Sequence, residues 1–233
     1  MRSTVTTFLL VLLVSGVALA GAPREGRADE VKRLARATEV FREIMRTPDK
    51  GIPGDLLDKS SCVAIVPGLK KGGLGIGGRY GKGVVMCRKP DRQWSAPSFL
   101  TVEGGSIGLQ IGYQQIDLVM LVMNRDGMEK LVGDKFTVGA DISAAAGPVG
   151  RQASAETNIR MDAQILTYSR AKGLFAGLSL EGASLRVDKD ANRDFYGTTI
   201  STEDMVRGIT KTRPAGSQWT ATLTRLVPAS STR

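Results

Sequence analysis

The chain has 233 residues, 42% hydrophobic and 24% charged, with a net charge of +9 and no histidine. That length supports one domain with a sizeable core. The missing histidine excludes a Ser-His-Asp or Cys-His site, a haem with a proximal His and the usual His-containing catalytic zinc site.

Residues 1–20 read as a signal peptide: Arg2 is the positive n-region, Phe8 to Val14 the apolar h-region, and Ala18-Leu19-Ala20 the small-x-small cleavage site. The run is too short to span a bilayer, although flanking apolar residues leave an uncleaved anchor as an alternative. Cleavage leaves a chain of net charge +8, since Arg2 is the one charged residue removed. A periplasmic or secreted protein with that charge is attracted to anionic phospholipid headgroups or other polyanions. Nucleic acid is the competing partner. The export signal and an aromatic content of only 5% argue against it, because single-strand binders stack bases on aromatic platforms.

Residues 21–28 are expected to form a short flexible N-terminus. The spacing then predicts a helix over 29–46, capped by Asp29 and stopped by Thr47-Pro48-Asp49. Val31, Leu34, Thr38, Phe41, Ile44 and Met45 share one face, opposite a basic-leaning polar face. A short helix follows near Pro53, carrying Leu56 and Leu57. Strands are expected at 62–66, 73–79, 83–88, 98–103, 106–112 and 116–123. Glycines in these strand interiors mark bends or close backbone approach, hence a sheet that curls on itself. A short helix at 127–132 and strands at 135–142, 155–168 and 174–187 come next. The clearest alternation is Thr157 to Ile165, with every second residue apolar. Helices capped by Thr202 and beginning near Pro214 close the chain, the second carrying Trp219, Leu223 and Leu226.

The fold class is therefore α+β: a single domain with a strongly curved, mainly antiparallel sheet flanked by N- and C-terminal helices. The domain is expected over 29–228, with a tail over 229–233. Cys62 and Cys87 are the two cysteines. In an oxidising compartment they favour one disulfide between neighbouring strands, with two buried free thiols as the alternative.

Several motifs invite a chemical reading and fail on context. Gly104-Gly105-Ser106-Ile107-Gly108 matches G-x-S-x-G, but it continues as a strand and has no histidine base. Ser169-Arg170-Ala171-Lys172 matches S-x-x-K without its partner motifs. Gly73 to Gly78 satisfies G-x-G-x-x-G but re-enters a strand instead of opening a helix. Asp188, Asp190, Asn192 and Asp194 repeat oxygen donors like a calcium loop. However, Arg193 and Thr199 stand where the loop needs Gly and Glu, so a polar hairpin or loop is the preferred reading. No catalytic residue, metal site or cofactor is assigned, and the chain reads as a non-enzyme.

Cys62-Val63-Ala64-Ile65-Val66-Pro67, Gly72 to Arg88, Trp94-Ser95-Ala96-Pro97-Ser98-Phe99, Gly104 to Gly112, Lys135 to Asp141, Ala146 to Arg151 and Tyr168 to Gly182 occur in that order. This ordered set, spanning roughly residues 30 to 200, resembles the SYLF domain family, known mainly for lipid binding. The resemblance implies phosphoinositide ligands for eukaryotic members and actin as a partner of some fungal ones. For an exported chain it implies an anionic phospholipid of the cell envelope. The residues expected to bind it form two basic clusters, Lys32, Arg33 and Arg36 on the first helix and Lys70, Lys71, Arg79 and Lys82 around the glycine-rich strands. The alternative function is a structural or adhesion-type protein that engages a protein or polyanionic glycan.

Overall fold

The computed structural model describes residues 25–46, 51–133, 135–148, 163–171, 174–176, 178, 180–211 and 213–227. The expected signal peptide, the alternation over 157–162 and the tail lie outside these residues. Along the described chain come α1 (Glu25–Met45), α2 (Gly54–Lys59), β1 (Cys62–Cys87), β2 (Ser98–Val122), α3 (Arg125–Val132), β3 (Lys135–Thr137) and β4 (Ala144–Ala146). They are followed by β5 (Ile165–Ala171), β6 (Leu174–Ala176), β7 (Ser184–Val187), α4 (Lys189–Tyr196), α5 (Thr202–Val206) and α6 (Pro214–Leu226). No described helix is long and apolar enough to cross a membrane.

The six short strands expected between 62 and 123 are two long ones of 26 and 25 residues. The glycines bend these strands without ending them. β1 and β2 pair antiparallel along almost their whole length. β2 also carries β7 beside Leu100–Glu103 and β5 beside Asp117–Val122, so its two ends support different parts of one mixed sheet. Only β4 and β5 pair in parallel among the named strands. The strand expected over 135–142 shortens to β3. The one expected over 174–187 is broken into β6 and β7, with a positive φ of 74° at Gly182.

β1 folds back on itself. The Arg88 amide donates to the Ser61 carbonyl at 2.7 Å, and a disulfide joins Cys62 to Cys87, the first and last residues of the strand. The expected bridge is present, but it closes one curled strand and does not link two neighbours. Two glycines permit the curl. Gly68 has φ +62° beside a register shift between Val66 and Leu69, where one extra residue enters β1. Such a bulge needs a left-handed residue and sharpens the bend. At Gly83 a Cβ would lie 2.5 Å from the Ile65 carbonyl oxygen and 2.7 Å from Val66 Cγ2. The later half of the strand thus rests directly on the earlier half.

The curl separates two cores. Its inner face buries Cys62, Ala64, Val66, Leu69, Val85 and Cys87 of β1 with Leu100, Val102, Leu118 and Met120 of β2. Its outer face buries Val63, Ile65, Val84, Met86, Phe99, Val119 and Leu121 under the helices. On β2 the inward residues are even-numbered throughout. On β1 they change from even before the bulge to odd after it, because one inserted residue exchanges the two faces.

α1 lays Leu34, Ala37, Val40, Phe41 and Ile44 on the outer face. Phe41 meets Trp219 of α6 edge to face at 5.9 Å, a favoured aromatic geometry. The helix already includes Glu25, so Asp29 lies inside it and is not its cap, and Val31 is 38% exposed, off the buried stripe. The segment from Trp94 to Phe99 anchors the C-terminal helices. Trp94 Nε1 donates to the Val227 carbonyl, Tyr196 Oη donates to the Pro97 carbonyl, and the Phe99 amide donates to Asn192 Oδ1. Ser201, one residue before the expected Thr202, caps α5 by accepting from the Asp204 amide.

Two outcomes follow from the curl. Gly83→Ala is expected to destabilise the protein by roughly 1–3 kcal/mol in urea denaturation, because the new methyl meets backbone. Gly78→Ala, whose methyl would come no nearer than 3.9 Å to the Gly104 oxygen, is the control and should cost less. Thiol titration of unfolded, unreduced protein should find no free thiol. Reduction should lower stability by roughly 3 kcal/mol, as expected for opening a loop of this size, whose ends are 25 residues apart.

Candidate functional site

The fold brings most of the two basic clusters to one place. A groove of about 350 Å³ lies between the polar face of α1 and the bend of β1, with Lys32, Arg33, Arg36, Lys70 and Lys82 around Pro67, Gly68 and Tyr80. The bulge at Gly68 turns β1 so that Lys70 and Lys82 flank the same opening. Lys71 and Arg79 do not line it. They adjoin Lys70 and Tyr80, and neighbouring side chains on a strand leave opposite faces. Arg79 is half-buried, and burial lowers its pKa.

The cations in the groove are not equivalent. The Lys32 side chain is 75% exposed, with Nζ 3.4 Å from Asp29 Oδ1. Arg36 and Lys70 are exposed and form no ion pair with any described residue. Arg33, expected among the phospholipid-binding residues, is a structural cation: its side chain is only 12% exposed, with Nη1 3.0 Å from Glu30 Oε2 and 3.7 Å from Asp188 Oδ2. Its guanidinium also sits 5.4 Å from the Phe99 ring centroid, a cation–π distance. The position follows from helix geometry, since Arg33 lies one turn from the buried Glu30 and Ala37.

Asp188 is the residue that sequence reasoning misplaced. The Asp188–Asp194 segment is not a loop. Asp188 caps α4, its side chain accepting from the Ala191 amide, and Asn192 is buried against Ser98 and Phe99. Among the described residues no cluster of three or more His, Cys, Asp or Glu could hold a metal. Asp188 also lies 3.2 Å from Lys82 Nζ. Burial works to raise its pKa, but the Ala191 amide, Lys82 and Arg33 outweigh it and hold it below the usual carboxylate value. An Asp three residues before Ala191 is a recognisable N-cap pattern, which the alternating oxygen donors obscured.

Glu30 completes this network. Burial pushes its carboxyl up to about 7 from 4.5, with Arg33 pulling it down and Asp188 pushing it further up. The folded state therefore binds this proton more tightly than the unfolded chain. The resulting stabilisation is fully present below the unfolded value of about 4.5 and is lost as pH rises through about 7. The thermal midpoint should fall on going from about pH 5 to about pH 8, and Glu30→Gln should flatten that part of the profile. Parallel profiles for the two proteins would show that Glu30 is not the group responsible.

The motifs without chemical context remain strand. Ser106 and the Gly73–Gly78 segment lie within β2 and β1, and Ser169 lies on β5. The described residues form a single curled sheet under helices, with a basic groove at its bend. A family profile described as "Las17-binding protein actin regulator" (Ysc84) matches residues 103–226. The SH3 domain-containing YSC84-like protein 1 of Homo sapiens is 38% identical over 189 residues, covering 80% of this chain and 55% of that protein. Its Bos taurus counterpart is 37% identical over the same shares. LAS seventeen-binding protein 3 of Saccharomyces cerevisiae is 35% identical over 170 residues, 72% of this chain and 37% of that protein. The chain belongs to the SYLF, or Ysc84, family. It spans about half the length of the mammalian relatives and less of the yeast one. These names describe binding and regulatory proteins.

Proposed function

We propose that this is a non-catalytic protein of the cell envelope that, after removal of residues 1–20, binds anionic phospholipid at a membrane surface through the groove between α1 and β1. One observation carries the reading. Lys32 and Arg36 from α1 meet Lys70 and Lys82 from two separate stretches of β1 around one opening. Each basic residue close to an anionic membrane contributes roughly 1 kcal/mol, and salt screens that contribution. Arg33 is excluded from the headgroup contacts because its side chain is only 12% exposed between Glu30 and Asp188, whereas Lys82, although paired with Asp188, is 44% exposed. Lys71 and Arg79 take part only at the margin.

A protein partner is the second reading. The yeast relative is named for binding a protein. Beside the groove Tyr80 is 46% exposed, and on the paired strand Tyr113 is 68% exposed. Exposed tyrosines of this kind are enriched at protein interfaces.

Vesicle co-sedimentation tests the proposal. Vesicles of phosphatidylcholine with phosphatidylglycerol should retain the protein and pure phosphatidylcholine should not. Raising salt to about 0.5 M should release most of it. Lys32→Glu with Arg36→Glu should weaken retention about tenfold or more without lowering the thermal midpoint. Retention that ignores both salt and the double reversal would overturn the groove mechanism. Failure to bind any vesicle would favour the protein partner.

A further inference from the structure

We propose that Glu30, Arg33, Asp188 and Lys82 form a proton-operated switch beside the α1 groove, which offers one more cation to a bound anion when Glu30 is protonated. This regulation rests on the reading of that groove as an anion site.

Lys82 is shared between two spaces. With Tyr80 it lines both the α1 groove and a neighbouring cavity of about 590 Å³ that also receives Glu30 and Asp188. The Asp188 carboxylate stands between two cations. Its Oδ1 accepts from the Ala191 amide at 3.1 Å, which fixes the group at the N-terminus of α4. Its Oδ2 lies 3.2 Å from Lys82 Nζ and 3.7 Å from Arg33 Nη1. Arg33 is held more closely by Glu30, with Nη1 3.0 Å from Oε2 and Nη2 donating to Oε1 at 3.1 Å. This is the arrangement of an ionised Glu30: each carboxylate holds one cation and the four charges cancel.

A proton on Glu30 removes one of the two anions. Leaving the buried Arg33 without a counterion is costly, so its guanidinium closes on Asp188 toward the charge-assisted distance of about 2.8 Å. Lys82 is then released. Its side chain is 44% exposed, so a bound anion can take the place of Asp188.

The surroundings of Glu30 set where this happens. Arg33 faces it from its own helix, Lys82 from β1, and Asp188 and Asp194 from α4. Lys135 of β3, Arg186 of β7 and Lys189 and Asp190 of α4 border the same cavity, and β2 contributes the uncharged Thr101. Arg186 is tied to Glu103 at 3.4 Å and Asp190 to Arg193 at 2.8 Å. Burial, with the two facing aspartates, outweighs the two facing cations and holds the Glu30 carboxyl up at about 7. Asp188 is held below the usual carboxylate value and stays charged throughout. The chain has no histidine, the side chain that ordinarily titrates in this range. Protonation and anion binding favour each other, so affinity is highest below about 7 and falls as pH rises through that value.

Two measurements test the switch. In the free protein, NMR of the side-chain carbons should show the Glu30 carboxyl titrating near 7. The Asp188 carboxyl and Lys82 Cε signals should move with the same midpoint, and Glu30→Gln should remove both movements. A Glu30 midpoint in the usual carboxylate range, or Asp188 and Lys82 signals that ignore it, overturns the proposal whether or not vesicles bind. The second measurement uses vesicles of phosphatidylcholine with phosphatidylglycerol, whose phosphodiester keeps its charge over this range. Between about pH 6 and about pH 8 at constant salt, the affinity should fall roughly fivefold, the effect of one basic charge. Glu30→Gln should bind at both pH values as the unaltered protein does at the lower one. Lys82→Ala should bind more weakly and show no fall. Equal affinity of the unaltered protein at both pH values overturns the switch and leaves the groove reading intact. Vesicles that bind at neither pH overturn the phospholipid reading instead, and the NMR titration then decides the switch alone.

Discussion

The architecture depends on the self-contact of β1. A 26-residue strand left extended would hold its ends far apart, yet here they are covalently joined. The approach is possible because Gly83 lies where any side chain would strike the Ile65 carbonyl, and because Gly68 turns the strand in a conformation other residues rarely adopt. β2 follows the same curve through its pairing with β1. It can then carry β7 at one end and β5 at the other, and the curl acquires an inside.

The same bend makes the groove. Lys70 and Lys82 flank one opening because β1 reverses between them. Electrostatics then sorts the cations around it. Asp188 caps α4 and faces both Arg33 and Lys82, so one carboxylate ties helix α1, strand β1 and helix α4 together. Burying Glu30, Arg33 and Asp188 together is costly in desolvation. It is tolerated because Arg33 lies between two carboxylates and above the Phe99 ring. Arg36 and Lys70 are exposed and have no such enclosure, which is the physical difference between them and the cation that holds the fold.

The sequence motifs that resemble catalytic or nucleotide sites have one structural explanation. The glycines from Gly73 to Gly78 and from Gly104 to Gly108 lie within two long strands, and a Cβ at Gly104 would lie 2.9 Å from the Gly182 oxygen. The strand-to-helix turns that a nucleophile elbow or a dinucleotide fold requires do not occur there. Residues around these glycines continue the β1–β2 ladder, with Gly77 opposite Ser106 and Gly78 opposite Gly105.

What the sequence determined by itself was everything carried by local periodicity and by ordered motifs. The amphipathic stripe of α1, the short helix expected at 127–132 that is α3, the proline that opens α6 and the family resemblance were all legible, because each depends on residues close in the chain or on a linear pattern. The curled antiparallel sheet and the cysteine bridge were legible in kind but not in connection. Only the tertiary structure decided that six apparent strands are two, that Cys62 and Cys87 close one strand on itself, and that inward residues of β1 change parity at the bulge. One inserted residue exchanges the faces of a strand without disturbing its composition. Tertiary packing likewise turned Arg33 inward and made Asp188 a cap, since charge balance in a buried site depends on which distant segments meet there, and linear spacing carries no record of that.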